Sequence, residues 1–172
     1  MNASRGGRPS FGPIAGNART GWLFGLVALA SFGSVAAALV TQHVYGMEPC
    51  PWCVLQRLIL VAIGAFALLG LVWHGATGNR VAATFSLLLA AGGLAAATWQ
   101  HFVAASSASC NLTLADRIVN ATGLNAALPA VFEARASCAD AAVDLFGVPY
   151  VFWSAALFAI LAILMIIVLR RA

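Results

Sequence analysis

The segment MEPCPWCVLQRLILVAIGAFALLGLVW, residues 47–73, decides what kind of chain this is. From Val54 to Trp73 it carries a single charge, Arg57, in an otherwise apolar run. A bilayer core is crossed by roughly 20 such residues in a helix. Ahead of the run stands a C-x-x-C pair, Cys50 and Cys53, with Pro51 between them and Arg57 four residues after the second. A thiol pair is therefore placed at the lip of a membrane span.

Three more stretches have the same character: 22–44, 81–102 and 148–169. Residues are 62% hydrophobic and only 8% charged, where soluble domains carry roughly 25% charged residues. With a mean hydropathy of +0.94, too few polar groups are present to cover a water-facing surface. The expected fold is an all-α membrane protein, a four-helix transmembrane bundle. Its membrane domain takes in residues 21–172, with a long loop at 103–147. The first span is long for a signal peptide and lacks a small-residue cleavage motif, so it reads as an anchor. Residues 1–20, rich in Gly, Pro, Ser and Arg, read as a disordered tail.

All nine basic residues are Arg, and the net charge is +4. They form no stripe with interleaved aromatics, which argues against nucleic-acid binding. Arg5, Arg8 and Arg19 precede the first span, Arg80 precedes the third, and Arg170 and Arg171 end the fourth. With four spans these fall on one side, and the positive-inside rule makes that side the cytoplasm. Both termini of this multi-pass membrane protein are then cytoplasmic. All four cysteines, Cys50, Cys53, Cys110 and Cys138, face the opposite compartment, where disulfides persist.

Cysteines at i and i+3 in the first turn of a helix bring their sulfurs together, and the helix N-terminus favours a thiolate. Pro51 suits that first turn, where its missing N–H costs nothing. Arg57 lies one turn beyond Cys53 on the same face. A charge inside a span is costly and marks a functional candidate, although an arginine there also has the option of snorkelling to the interface. A zinc site needs two further ligands, for which His43, Cys110 and Cys138 are the candidates. A c-type haem site needs His after the second cysteine, and Val54 stands there. A purely structural disulfide over so short a loop adds little stability.

Cys110 and Cys138 flank 27 residues. Leu114, Ile118 and Val119 recur at helical spacing there, with Asp116 and Arg117 on the other side. That pattern fits either an amphipathic helix on the membrane surface or an ordinary loop helix. The sequons at Asn111 and Asn120 are short patterns of little weight. Alone, the distant cysteine pair reads as a stabilising disulfide. Beside a second pair on the same face, it reads as one half of a thiol–disulfide relay. A relay needs a final acceptor. No G-x-G-x-x-G follows a strand, so a lipid quinone at membrane depth near Cys53 and Arg57 fits best.

The motifs QHV at 42–44, EPCPWCVLQR at 48–57, WQHF at 99–102 and DLFGVPYVFWS at 144–154 resemble the bacterial disulfide bond formation protein B (DsbB) family. The resemblance covers nearly everything after the N-terminal tail. It implies a four-helix bundle that oxidises a periplasmic thioredoxin-like dithiol oxidase (DsbA-like) and passes electrons to ubiquinone or menaquinone. It implies that Cys110 forms the mixed disulfide with the partner and that Cys138 resolves it and exchanges with Cys50. Cys53 is then the thiolate at the quinone, Arg57 lies by the ring, and His101 matches a family histidine near the pocket. Trp52 departs from the usual aliphatic residue between the cysteines.

The competing reading from another class is a metal-binding or transport subunit using the cysteines as ligands. Vitamin K epoxide reductases also couple thiols to quinones, but carry the active C-x-x-C at a later span than Cys50.

Overall fold

A computed structural model describes residues 15–73, 75–104 and 113–171. Four long helices dominate it: α1 (Ala15–Tyr45), α2 (Pro51–Val72), α3 (Ala76–Phe102) and α7 (Tyr150–Arg171). Each is long and apolar enough to cross a membrane. The connections from α1 to α2 and from α2 to α3 are short, so successive helices run in opposite directions. Between α3 and α7 lie three short helices, α4 (Leu114–Thr122), α5 (Leu124–Ala127) and α6 (Pro129–Phe132). A two-stranded hairpin follows, β1 (Asp144–Leu145) and β2 (Val148–Pro149).

The helices outrun the expected spans at most of their ends. α1 is helical from Ala15, so residues 15–20 belong to it; residues 1–14, the rest of the expected tail, lie outside the described residues. α2 starts three residues early because Cys50 is its N-cap and Pro51 its first residue. A hydropathy window sees the apolar run alone. A helix also includes the polar turns at its ends, which the backbone extends into water.

α2 packs against α1 on one side and α3 on the other, and α7 packs chiefly on α3, barely touching α1. The core between them is Phe24 and Val27 of α1, Ile63 of α2, Ala83 of α3, and Phe158 and Met165 of α7. Lipid tails are as apolar as these side chains, so close packing rather than hydrophobicity must hold the helices together. Glycines, among them Gly64, Gly70 and Gly93, supply it. A Cβ on Gly70 would lie 2.7 Å from the Phe24 ring, and one on Gly93 would collide with Phe158.

The outer loop is folded down onto the head of α2. A second core joins Cys50, Trp52, Val54, Val119, Phe132 and Cys138. α4 begins with a capping box between Thr113 and Asp116. It turns Ala115 and Val119 toward the protein and leaves Leu114 63% and Ile118 40% exposed. The expected apolar face of Leu114, Ile118 and Val119 is thus split. Ala115 and Val119, at i and i+4, make the low-profile ridge that fits against α2, and Leu114 and Ile118 form the next ridge, facing away.

Candidate active site

The head of α2 builds the site. Its backbone N–H groups at the first turn lack helical acceptors, and the Cys50 sulfur accepts one of them, from Cys53, at 3.3 Å. This cap turns both cysteine side chains to the same corner, with the two Sγ atoms 2.8 Å apart. Cys50 is wholly buried and Cys53 partly so.

Cys138 arrives from the loop. The N–H groups of Arg135 and Ala136 donate to the Pro49 carbonyl at 3.0 and 3.3 Å, which ties this part of the loop to the residue before Cys50. Cys138 is buried there in the same cluster as Cys50, close enough for the two thiols to act on each other electrostatically. The Cys50 thiol donates in this contact, which raises its pKa, with the Cys53 contact and burial adding to the rise. The same contact lowers the pKa of Cys138, helped by the Trp52 backbone N–H and opposed by burial. Cys110 lies outside the described residues. Three sulfurs therefore stand in series, Cys138 against Cys50 and Cys50 against Cys53.

The sign of the Cys138 shift gives a pH dependence. An ordinary cysteine here loses its proton near 9.0, and Cys138 does so at lower pH. In the reduced enzyme, where Cys50 is a free thiol, the Cys138 thiolate thus survives as pH falls below that value. In a reduced Cys53→Ser, Cys110→Ser background, thiolate absorbance against pH should show Cys138 titrating below its ordinary value. Cys50→Ala should move that titration back up, because the donor is gone. Cys50→Ser, which still donates, should move it less. Identical curves for the Ala and Ser variants would remove Cys50 as the cause.

Arg57 is 6% exposed, with its guanidinium inside the bundle rather than at the water interface. NH1 donates to Gln42 Oε1 at 2.6 Å and to the Val131 carbonyl at 3.1 Å, and NH2 donates to the Ala38 carbonyl at 3.3 Å. It thereby clamps α1, α2 and the loop's α6 together. A planar fork of five donors suits this, and a lysine does not.

Beside Cys53 and Arg57 a cavity of about 250 Å³ opens in the seam where α1 and α7 barely meet. Its wall is mostly apolar, with Ala38, Leu60, Val151 and Leu157, and its polar points include Cys53, Arg57, Gln56, Gln100, Glu48 and Tyr150. This is slightly below the usual range for small-ligand sites, roughly 300–1,000 Å³, and has their make-up of an apolar wall with a few placed polar groups.

His101 does not line this cavity. It packs against Phe152 of α7, ring centroids 4.7 Å apart. Its neighbour Gln100 faces the site instead and donates to Cys53 Sγ at 3.2 Å. Trp52 leans on Trp99 of α3, centroids 6.4 Å apart. Sequence reasoning missed Gln42, Gln56 and Gln100. The signal was available, since each is a buried polar residue near the end of a span and such groups mark functional sites.

A membrane-embedded helical bundle with a buried dithiol at a span head, a third thiol delivered to it, and an apolar cavity behind it defines a thiol-oxidising membrane enzyme. The family model for Disulfide bond formation protein DsbB matches residues 19–168. Disulfide bond formation protein B of Ralstonia nicotianae is 35% identical over 156 residues, covering 86% of this chain and 92% of that one. Disulfide bond formation protein B 1 of Pseudomonas savastanoi pv. phaseolicola is 34% identical over 143 residues, 83% of each chain. The protein of that name from Marinobacter nauticus is 31% identical over 155 residues, covering 87% of this chain and 92% of its own. The chain belongs to the DsbB family and is a protein-disulfide:quinone oxidoreductase of disulfide bond formation. The metal-binding or transport alternative finds no support in these relatives.

Proposed function

We propose that this chain reoxidises a periplasmic thioredoxin-like dithiol oxidase (DsbA-like) through Cys110 and Cys138, and passes the electrons through Cys50 and Cys53 to ubiquinone or menaquinone. The observation that carries this is the series of sulfurs, Cys138 to Cys50 to Cys53, ending at the cavity. In the oxidised enzyme each pair is a disulfide. The partner's thiolate attacks Cys110, forming a mixed disulfide and releasing Cys138 as a thiolate. Cys138 attacks Cys50, so that the Cys138–Cys50 bond forms, the Cys50–Cys53 bond breaks, and Cys53 leaves with the electron pair. The partner's second thiolate, rather than Cys138 as the family resemblance implied, then resolves the mixed disulfide, because attack by Cys138 on Cys110 would release the partner still reduced. The released Cys110 thiolate attacks Cys138, which restores the distant disulfide and frees Cys50.

A quinone supplies a two-electron, two-proton acceptor in the membrane. The cavity fits its head group in chemistry: apolar walls, the Cys53 sulfur, and the Arg57 cation. Arg57 stabilises negative charge at Cys53 and on a bound oxygen. Tyr150 and Glu48 are the oxygen acids among the residues that line the cavity, available for proton transfer. His101 enters through Phe152, the ring on which it packs, whose sequence neighbours Val151 and Trp153 line the cavity. The arginine-bearing ends of the bundle, at Arg19, Arg80 and Arg170–Arg171, support cytoplasmic termini in an inner membrane.

The test is anaerobic. Purified protein mixed with quinone and a reduced thioredoxin-like donor should reduce one quinone per disulfide formed in the donor. Donor oxidation without quinone reduction would sink the reading.

A further inference from the structure

We propose that Gln100 is a positioning residue for the dithiol, and that Gln56 sets which way round its amide lies. The two come from neighbouring helices and are both buried, Gln100 at 8% and Gln56 at 5% exposure. Gln56 Nε2 donates to Gln100 Oε1 at 2.7 Å. That contact occupies the acceptor end of Gln100 and leaves its donor end toward the sulfurs. Gln100 Nε2 lies 3.2 Å from Cys53 Sγ and 3.4 Å from Cys50 Sγ. Turned over, the Gln100 amide would set Nε2 against Nε2 and an oxygen against the sulfur lone pairs. Both contacts would be lost together, so the orientation is determined from two sides.

The consequence lies in how sulfur accepts hydrogen bonds. A thiol or disulfide sulfur is a weak acceptor, and a thiolate is a strong one. The Gln100 N–H therefore gains most at the moment Cys53 leaves Cys50 with the electron pair, an interaction stronger in the charged state than in the ground state. A neutral amide does this without adding a titratable group to the site. The inference rests on the reading of Cys53 as the departing thiolate, but its test needs neither quinone nor partner.

The full-length Cys50→Ser protein leaves Cys53 as the reporting thiol of the pair, and serine still caps the helix. The other titratable groups around Cys53 are Arg57 on its own helix, Cys138 from the loop, and Glu48 and Tyr150 across the cavity; all are left unchanged. Alkylation of Cys53 by iodoacetamide is followed at pH 7 and at pH 10. Gln100→Met should slow the reaction about tenfold at pH 7, the order expected for a lost hydrogen bond to a charged acceptor. At pH 10 the rates should converge. Gln56→Met, which touches neither sulfur but frees the amide to turn, should slow it about two- to threefold at pH 7 only. A role in packing alone predicts equal factors at both pH values, or none, and either result overturns the proposal. Should Gln100→Met fail to fold, Gln56→Met decides, and an unchanged rate in that variant counts against it. Failure of wild-type quinone reduction would overturn the relay and leave this result standing.

Discussion

Cys138→Ser should reduce oxidation of a reduced thioredoxin-like donor by at least about a hundredfold, while a small dithiol still drives quinone reduction. The expectation follows from where Cys138 sits. It is buried against Cys50, at a loop segment fastened to Pro49 by two backbone hydrogen bonds. A protein donor must hand its electrons to this sulfur, since Cys50 is itself wholly buried. Serine has the same shape in slightly less volume and still accepts a hydrogen bond from a Cys50 thiol, so the loop should stay in place. A small dithiol enters differently, through the cavity where Cys53 is partly open. Attack there on Cys53 releases Cys50, so the small dithiol must complete its own oxidation to leave both thiols free. Quinone reduction then proceeds without the loop. Equal loss with protein and small-molecule donors would show that the two cysteine pairs are one unit rather than two stages.

Arg57 should give the second large effect. Arg57→Lys keeps the charge but loses the fork that reaches Gln42, Val131 and Ala38 at once. Arg57→Gln loses the charge as well. The apparent KM for quinone is expected to rise about tenfold in Arg57→Lys and about a hundredfold in Arg57→Gln, on the scale of one and two charge-assisted hydrogen bonds. The Gln variant should also lower kcat, because the cation beside Cys53 stabilises the thiolate that delivers the electrons. Both variants leave buried acceptors unpaired and should be less stable by about 1–3 kcal/mol. Stability loss alone lowers the amount of active enzyme and leaves KM where it was. A wild-type KM in Arg57→Gln would reduce this arginine to a clamp between helices.

Much of this was legible in the sequence because hydropathy and charge act locally. The four apolar runs and the arginines at one set of ends specify the bundle without any tertiary information. The C-x-x-C at the head of α2 was equally plain, since Pro51 and the i, i+3 spacing are features of a single helical turn. Tertiary choices were less visible. Gln100 and His101 are adjacent on α3, about 100° apart around the helix. Periodicity could not say which one faces the dithiol, because α3 is apolar on every side and has no polar stripe to orient it. Histidine drew attention by its chemistry, yet glutamine took the inward position. The face of α4 was obscured for a similar reason: Ala115 is apolar enough to be buried but too small to mark a face. The approach of Cys138 to Cys50 depends on the Pro49 carbonyl accepting from Arg135 and Ala136 across a long loop. No local pattern announces such a contact.

The central claim is that electrons pass from the loop to the membrane site through Cys138 and Cys50. The most direct measurement uses the double variant Cys53→Ser, Cys110→Ser, which keeps only those two thiols. After mild oxidation and proteolysis without reductant, peptide mapping should find Cys50 and Cys138 joined by a disulfide within one chain. If both cysteines remain alkylatable, or link only between chains, the two sulfurs do not meet and the relay is wrong.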